Sequence, residues 1–356
     1  MLRLLWFMNL KAMFFKRRGA KIVGAAVVLI AAIVFFRPDS FTSVKIPFVK
    51  SEPINSLSGL PGGDGPILVV KLDDTRSAHP QIGIEEADIV YIEQVEGGLT
   101  RLAAIFSSKI PQRIGPVRSA RISDIELLAQ FGRVGFAYSG AQSKLRPALA
   151  AANLENASAE RNPATIYTTD PTRVQPYAMV LRADLLLESL EAKGVKLEES
   201  KSVGWKFGDA PNGGEVVTDI RLSWPASSYD AHWSEDENRW LLDHVGAPNF
   251  ADSGVRLGAS TLVIQKVKIT DSIYKDKVGG VTPFSPTVGT GEGYIARDGK
   301  VIKALWSRPT EGSGTKWTTV DGAEISFKKG QIWVALMDKE PIFTKPSVDA
   351  TKSGSK

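Results

Sequence analysis

The densest group of polar side chains in the sequence is the stretch 93–101, which surrounds the glycine pair Gly97-Gly98. A two-residue turn at these glycines predicts a β-hairpin in which Gln94 lies opposite Arg101. Glu96 and Arg101 are then diagonal neighbours on one face, whereas Glu93 points to the other face. This geometry disfavours a catalytic pair made by Glu93 and Glu96, because two catalytic carboxyl groups must face one substrate. An ion pair that only stabilises the hairpin is the alternative interpretation.

Two arginines, Arg118 and Arg121, flank Ser119 directly before an apolar pattern of near-helical spacing. On the first turn of a helix they would share one face, where cations oppose the helix dipole and need negative charge nearby. One interpretation is an anion site that uses both guanidinium groups and free backbone N–H groups. We assign Arg101, Ser119, Glu96, Glu93 and Asp73 to the same candidate site. The other interpretation is an internal ion pair with Glu93, Glu96, Asp124 or Glu126.

Other chemistries find less support in the residues. The three histidines, His79, His232 and His244, show no metal-ligand spacing, and the chain contains no cysteine. We therefore predict neither a metal site nor a cofactor. Acid and base catalysis by Glu93, Glu96 or the pair Asp73-Asp74 remains open as an alternative to binding.

The elements that must position these residues are read from apolar periodicity. The stretches 67–72, 87–95, 99–106 and 134–138 are bounded by Gly and Pro and predict strands, whereas 122–131 and 183–193 predict helices. Alternating stretches dominate after about residue 203. We expect an α+β fold, with a mixed α/β N-terminal domain at 66–200 and a smaller β-rich C-terminal domain at 201–345. A linker rich in Ser, Pro and Gly is predicted at 38–65, and a disordered tail at 346–356.

The basic charge of the chain is concentrated at its N-terminus. Residues 1–37 hold seven basic groups and no acid, which leaves 37 basic against 39 acidic groups in the remainder. A body of that balance has no overall field that would attract nucleic acid, so no nucleic-acid partner is expected. The apolar segment 20–37 follows the basic residues 1–19, and this order predicts a single-pass anchor with a cytoplasmic N-terminus and an extracytoplasmic body. A cleaved secretory signal is the alternative, although no small-residue cleavage site follows the segment.

Residues 73–126 and 257–336 resemble the YerB-like family of bacterial envelope proteins, a domain of unknown function. The motifs that carry the resemblance are HPQIG at 79–83, ADIVY at 87–91, EGGLTR at 96–101, IGPVRSAR at 114–121, the glycine-rich 289–293, Gly299-Lys300 with Trp306, and GQIW at 330–333. The resemblance implies an N-terminal mixed α/β unit and a β-rich C-terminal unit, and it implies no known reaction. Many relatives look like lipoproteins with an anchoring cysteine, which this chain replaces with an apolar segment. Relatives also tend to carry Pro-His-Asn where this chain has 173–178, so a role of that histidine would be missing here.

Three functions therefore compete. The first is an extracytoplasmic binding or scaffold protein of the bacterial envelope, whose arginines bind an anionic wall polymer, a peptide carboxylate or an envelope protein. The second is a cell-wall hydrolase or transferase that uses acidic residues. The third is a purely structural envelope protein in which the polar residues pair with one another. The residues favour the first.

Overall fold

The computed structural model describes residues 52–276 and 279–346. The predicted anchor at 20–37 and the basic segment before it lie outside these residues, as does most of the predicted tail. Among the described residues, no helix combines the length and the apolar character that crossing a bilayer requires.

The described chain is mostly β-sheet with few helices. Its strands, in chain order, are β1 (Leu68–Asp73), β2 (Ile89–Gln94), β3 (Thr100–Phe106), β4 (Arg113–Ile114), β5 (Val134–Ala137), β6 (Leu154–Asn156), β7 (Tyr167–Thr169), β8 (Met179–Arg182), β9 (Glu215–Val216), β10 (Asp219–Ser223), β11 (Ser228–Ser234), β12 (Arg239–His244), β13 (Ala247–Pro248), β14 (Gly258–Ala259), β15 (Thr261–Lys266), β16 (Thr270–Lys275), β17 (Val281–Phe284), β18 (Gly289–Arg297), β19 (Lys300–Arg308), β20 (Lys316–Thr319), β21 (Ile332–Met337) and β22 (Ile342–Thr344). The α-helices are α1 (Ile122–Ala129), α2 (Arg146–Ala151) and α3 (Ala183–Ala192). Short 3-10 turns cover Arg76–Ala78, Ile84–Glu86 and Glu96–Gly98.

One large sheet joins the two halves of the described chain. Its order is β20-β19-β18-β15-β21-β2-β3-β1-β5-β6, with β9 on the edge of β19. Strand β2 of the first half pairs in parallel with β21 of the second half. A second sheet, β13-β12-β11-β10-β22 with β14 on β12, is built from the second half alone. The coarse α+β prediction is confirmed, and the helices of the described residues all precede residue 200.

Both faces of the large sheet are covered, which explains the nearly continuous apolar strands. In β1, Leu68, Val70 and Leu72 belong to one hydrophobic cluster. Ile67 and Val69, which point the other way, belong to the second cluster. Because side chains alternate along a strand, Lys71 and Asp73 share the face of Val69. Strand β1 therefore places the charged side chains of Lys71 and Asp73 on the same side of the sheet.

The second half of the predicted linker at 38–65 is part of the folded body. Asn55 is fully buried, and its Nδ2 donates to Gly63 O at 2.9 Å and to Ser200 Oγ at 3.0 Å. Leu57 is also fully buried in the second hydrophobic cluster. The linker prediction is thus wrong for 52–65. Hydrogen bonds to neighbouring segments hold this loop in the folded body, and such a loop shows no apolar periodicity in its sequence.

Candidate functional site

A buried group of three charged side chains lies where β1, β2 and α1 meet. Lys71 Nζ is 2.5 Å from Glu93 Oε1 and 2.6 Å from Asp124 Oδ1, and all three side chains are almost completely excluded from solvent. The same Asp124 side chain accepts a hydrogen bond from the backbone N–H of Arg121 at 2.6 Å, which fixes the start of α1. The lysine thus ties the sheet to the helix that carries the predicted arginines.

Burial, together with the nearby Asp124 carboxylate, raises the pKa of Glu93 to about 8, although the Lys71 ammonium acts in the opposite direction. Glu93 Oε2 also has no hydrogen-bond partner among the described residues. At neutral pH the group therefore consists of a Lys71–Asp124 ion pair beside a protonated Glu93 carboxyl group.

The hairpin between β2 and β3 differs from the prediction by one residue. Val95 and Leu99 close a three-residue loop, with Val95 N donating to Leu99 O at 2.8 Å, and both Gly97 and Gly98 have positive φ. Glu93 consequently pairs with Arg101, not Gln94 with Arg101. A shift of one residue moves every side chain to the opposite face, so Arg101 joins the face of Lys71 and Asp73.

Arg101, Arg118 and Arg121, together with Asp73 and Glu96, form what we call the arginine cluster. Arg118 Nε donates to Asp73 Oδ2, and the Arg118 guanidinium lies 5.6 Å from the centre of the Tyr177 ring. Arg121 donates from Nε to Glu96 Oε2 at 2.9 Å, with Nη2 at 2.8 Å from the same oxygen. Arg101 Nη1 donates to the backbone carbonyl of Ser119 at 2.9 Å.

The predicted arrangement of Arg118 and Arg121 on one helical turn is therefore wrong. The helix begins at Ile122, so Arg121 is its N-cap residue and Arg118 precedes it in extended chain. Arg118 N donates to Lys71 O at 2.8 Å, which places this segment beside β1. The two side chains therefore bind different carboxylates, Arg118 that of Asp73 and Arg121 that of Glu96. Glu96 is one of the partners that the internal-pair interpretation named.

The arginine cluster contains three guanidinium groups and two carboxylates, which leaves an excess of positive charge. Arg101 carries that excess, because the described residues give it no carboxylate within ion-pair distance. Burial, together with the charges of Arg121 and Arg118, lowers the pKa of Arg101 to about 9. Burial acts to raise the pKa of Glu96, but Arg121 and the hydrogen bond from Thr282 together hold that pKa below its usual value.

A cavity of about 470 Å³ opens beside this cluster. Ser119 and Arg121 form part of its wall, together with Ser139, Gln142 and Arg146. Glu160 also lines the cavity and pairs with Arg146 at 2.6 Å. The wall therefore offers hydroxyl, amide and guanidinium groups. It also contains three carboxylates, of which Glu96 and Glu160 pair with arginines and the third is that of Asp276.

A second polar group, centred on Asp74, was not predicted. Asp74 follows Asp73 but points to the opposite side of the sheet, where it accepts hydrogen bonds from Tyr229 at 2.6 Å and Thr100 at 2.5 Å. The rings of His79 and His244 stack beside it with centroids 4.2 Å apart. No residue spacing predicts this group, because His244 lies at the end of β12, in the other half of the chain.

The comparisons with known proteins agree with this architecture. The family described as "Protein of unknown function (DUF3048) N-terminal domain" matches residues 57–196. Its C-terminal counterpart matches residues 219–334. A Bacillus subtilis (strain 168) protein described as "Putative lipoprotein YerB" is 28% identical over 273 residues, which is 76% of this chain and 81% of that protein. The crystal structure of YerB from Bacillus subtilis shares the fold with a TM-score of 0.71 at 20% identity, covering 83% of this chain and all of that one. The chain belongs to the DUF3048 family, whose N- and C-terminal domains are both present and which includes YerB-like proteins.

Proposed function

We propose that the chain is a membrane-tethered, extracytoplasmic binding protein of the bacterial envelope. The description of the YerB relative as a lipoprotein supports an envelope location. The basic residues before the apolar segment 20–37 support a helical anchor in place of a lipid, since the chain has no cysteine to carry one. In this proposal the anchor holds the folded body outside the cytoplasm.

The observation that carries the binding proposal is the charge excess of the arginine cluster beside a polar cavity. Arg101 contributes a positive charge that no carboxylate among the described residues neutralises, and its partner Ser119 lines the cavity. A negatively charged ligand group at this wall would balance that charge. The guanidinium groups in the wall itself are those of Arg121 and Arg146, and the N–H groups of a guanidinium can bind carboxylate and phosphate oxygens in pairs.

The cavity wall also restricts the chemistry of the ligand. The carboxylates of Glu96, Glu160 and Asp276 lie in the wall with Arg121 and Arg146, so a purely anionic ligand would meet negative as well as positive charge. A molecule with a carboxylate and several hydroxyl or amide groups fits better. Cell-wall fragments, in which sugar hydroxyls and peptide carboxylates occur together, have this composition.

The experiment that tests the proposal is a calorimetric titration of the full-length chain in detergent micelles with a disaccharide-tetrapeptide wall fragment. A neutral chitin tetrasaccharide serves as the control ligand. We expect saturable binding of the acidic fragment that weakens as salt screens the charges, and no binding of the neutral sugar. Equal heats for the two ligands, or no saturable binding of the acidic fragment, would reject the arginine site.

Binding is favoured over acid–base catalysis by the state of the carboxylates. Glu93 is buried behind Lys71, Asp73 is bound by Arg118, and Glu96 is bound by Arg121. Asp74 is buried, with hydroxyl groups bonded to both of its oxygens. A hydrolase would need two carboxyl groups that face one substrate. Each of these carboxyl groups is instead bonded to a neighbouring side chain of the protein.

A further inference from the structure

The Asp74 group brings three potential metal ligands into one place. Asp74 Oδ1 is 3.2 Å from His79 Nε2, and Asp74 Oδ2 is 3.8 Å from His244 Nε2. One ligand atom from each of the three residues lies within 4.8 Å of the others. Two ligands of one tetrahedral zinc ion, with bonds of about 2.0–2.1 Å, are about 3.3 Å apart. The group is therefore close to the size that a bound ion requires.

Neighbouring hydrogen bonds orient these atoms as lone-pair donors. His79 Nδ1 lies 3.0 Å from the Asn249 side-chain oxygen, which accepts a hydrogen bond from it in the tautomer with the proton on Nδ1. His79 Nε2 lies 3.1 Å from Gln81 Nε2 and 3.2 Å from Asp74 Oδ1. With the proton on Nδ1, the Nε2 lone pair accepts a hydrogen bond from Gln81, and a bound ion would replace that hydrogen bond. An imidazole held through its other N–H, and a carboxylate held by the hydroxyls of Tyr229 and Thr100, are the outer contacts that metal ligands usually have.

His244 supplies an independent observation. Its side chain is 5% exposed, and its Nε2 has no hydrogen-bond partner among the described residues. A buried polar atom without a partner costs stability, and such atoms are rare in folded proteins. This nitrogen and His79 Nε2 each lie within 4 Å of an Asp74 carboxylate oxygen, so a cation between the three groups would give each of them a partner.

We propose that Asp74, His79 and His244 bind a divalent transition-metal ion of the zinc type. Two imidazoles and one carboxylate suit zinc and its neighbours, whereas calcium and magnesium prefer oxygen ligands throughout. His79 and His244 also line a cavity of about 730 Å³, so the ion keeps a position open to water or to a small ligand group. The rings are now within 10° of parallel, and they must tilt apart to direct both lone pairs at one ion. His79, with a side chain 16% exposed, lies at the cavity wall and can make that movement.

The test uses the full-length chain without an affinity tag, purified in detergent and stripped with a chelator. After equilibration with zinc and removal of free metal, bound zinc is measured by elemental analysis, and melting is followed with and without zinc. We expect one zinc ion per chain and a zinc-dependent rise in melting temperature, since the ion binds only the folded state. With cobalt in place of zinc, the visible spectrum should show a tetrahedral ion with nitrogen ligands.

Three variants decide whether these residues are the ligands. His79→Gln and His244→Gln should each weaken zinc binding about a hundredfold and abolish the rise in melting temperature. His232→Gln is the matched control, because His232 lies near Asp219 and Asp243 on the surface and is the other histidine of the chain. Loss of zinc in the control alone would overturn the proposal, as would a wild-type chain that retains no zinc. His79→Gln is the more informative variant if His244→Gln unfolds, because His79 is the more exposed ring.

Discussion

Asp73 and Asp74 are consecutive residues whose carboxylates serve opposite sides of the large sheet. Asp73 binds Arg118 on the side of the arginine cluster, and Asp74 lies between His79 and His244 on the other side. The end of β1 therefore separates two polar groups, and each can be tested by its own variants.

The Arg118–Asp73 pair should contribute to stability, because the Asp73 side chain is only 2% exposed. Arg118→Met leaves that carboxylate without its cation, and we expect a loss of about 1–3 kcal/mol in the free energy of unfolding. Arg221→Met is the matched control, since Arg221 pairs with Asp230 at the surface and its loss should cost less than about 1 kcal/mol. Urea unfolding measures both, and equal losses in the two variants would contradict a structural role for the Arg118 pair.

The glycines of the three-residue loop should differ in their tolerance of alanine. Both have positive φ, but a Cβ on Gly98 would lie 2.4 Å from Pro225 Cβ, whereas a Cβ on Gly97 meets nothing within 4 Å. Gly97→Ala should cost about 1–2 kcal/mol for the left-handed backbone alone. Gly98→Ala should cost clearly more, because the loop must also move away from Pro225. Similar melting temperatures for the two variants would show that the observed hairpin register is wrong.

The raised pKa of Glu93 predicts a specific pH dependence. The folded chain keeps a proton on Glu93 up to about pH 8, whereas the unfolded chain releases it near the ordinary value of 4.5. Stability from this group is therefore full below about pH 4.5 and is lost as the pH rises to about 8. Glu93→Gln does not titrate. The free energy of unfolding of the variant minus that of the wild type should therefore increase between pH 5 and pH 8. A difference that is constant or shrinks over this range would mean that Glu93 is ionised in the folded state.

The N-terminal segment should be retained as an anchor in the mature protein. The basic flank precedes the apolar stretch 20–37, and no small-residue cleavage site follows it. Intact mass spectrometry of the protein from washed membranes should give the full-length mass, allowing for removal of the initiator Met. A mature N-terminus between residues 37 and 49, in a protein that washes off the membrane, would establish a cleaved signal instead.

Local patterns in the sequence were sufficient to predict the main elements. Periodicity and bounding glycines predicted β1, β2, β3 and β5 and the helices α1 and α3 to within about two residues at most ends, because these elements bury regular apolar faces. The sequence also assigned Arg101, Arg118 and Arg121 to one candidate site; in the structure Arg118 binds Asp73, Arg121 binds Glu96, and Arg101 binds the Ser119 carbonyl. These features depend on residues close to one another in the chain.

The parts that could not be predicted depend on contacts between distant residues. The hairpin register depends on the length of the loop. Gly97 and Gly98 are compatible both with a two-residue loop and with the three-residue loop that the structure shows. The partners of Asp74 come from β11 and β12 of the other half, so no spacing rule finds them. The buried Lys71 was likewise hidden, since a lysine within an apolar strand gives no sign of the carboxylates that surround it.

The binding affinity of Arg101→Gln for the disaccharide-tetrapeptide wall fragment, measured together with the melting temperature of the same protein, tests the central claim most directly. Arg101 holds the excess charge of the cluster and leaves no carboxylate unpaired when it is removed, so the fold should keep its melting temperature within about 2 °C. We predict a loss of affinity of at least about tenfold, because the positive charge next to the cavity wall is removed. Arg221→Gln is the control, because Arg221 pairs with Asp230 and does not line the cavity. This variant should bind the fragment like the wild type. Unchanged affinity in Arg101→Gln with an unchanged melting temperature would contradict the account and leave the arginine cluster with a purely structural role.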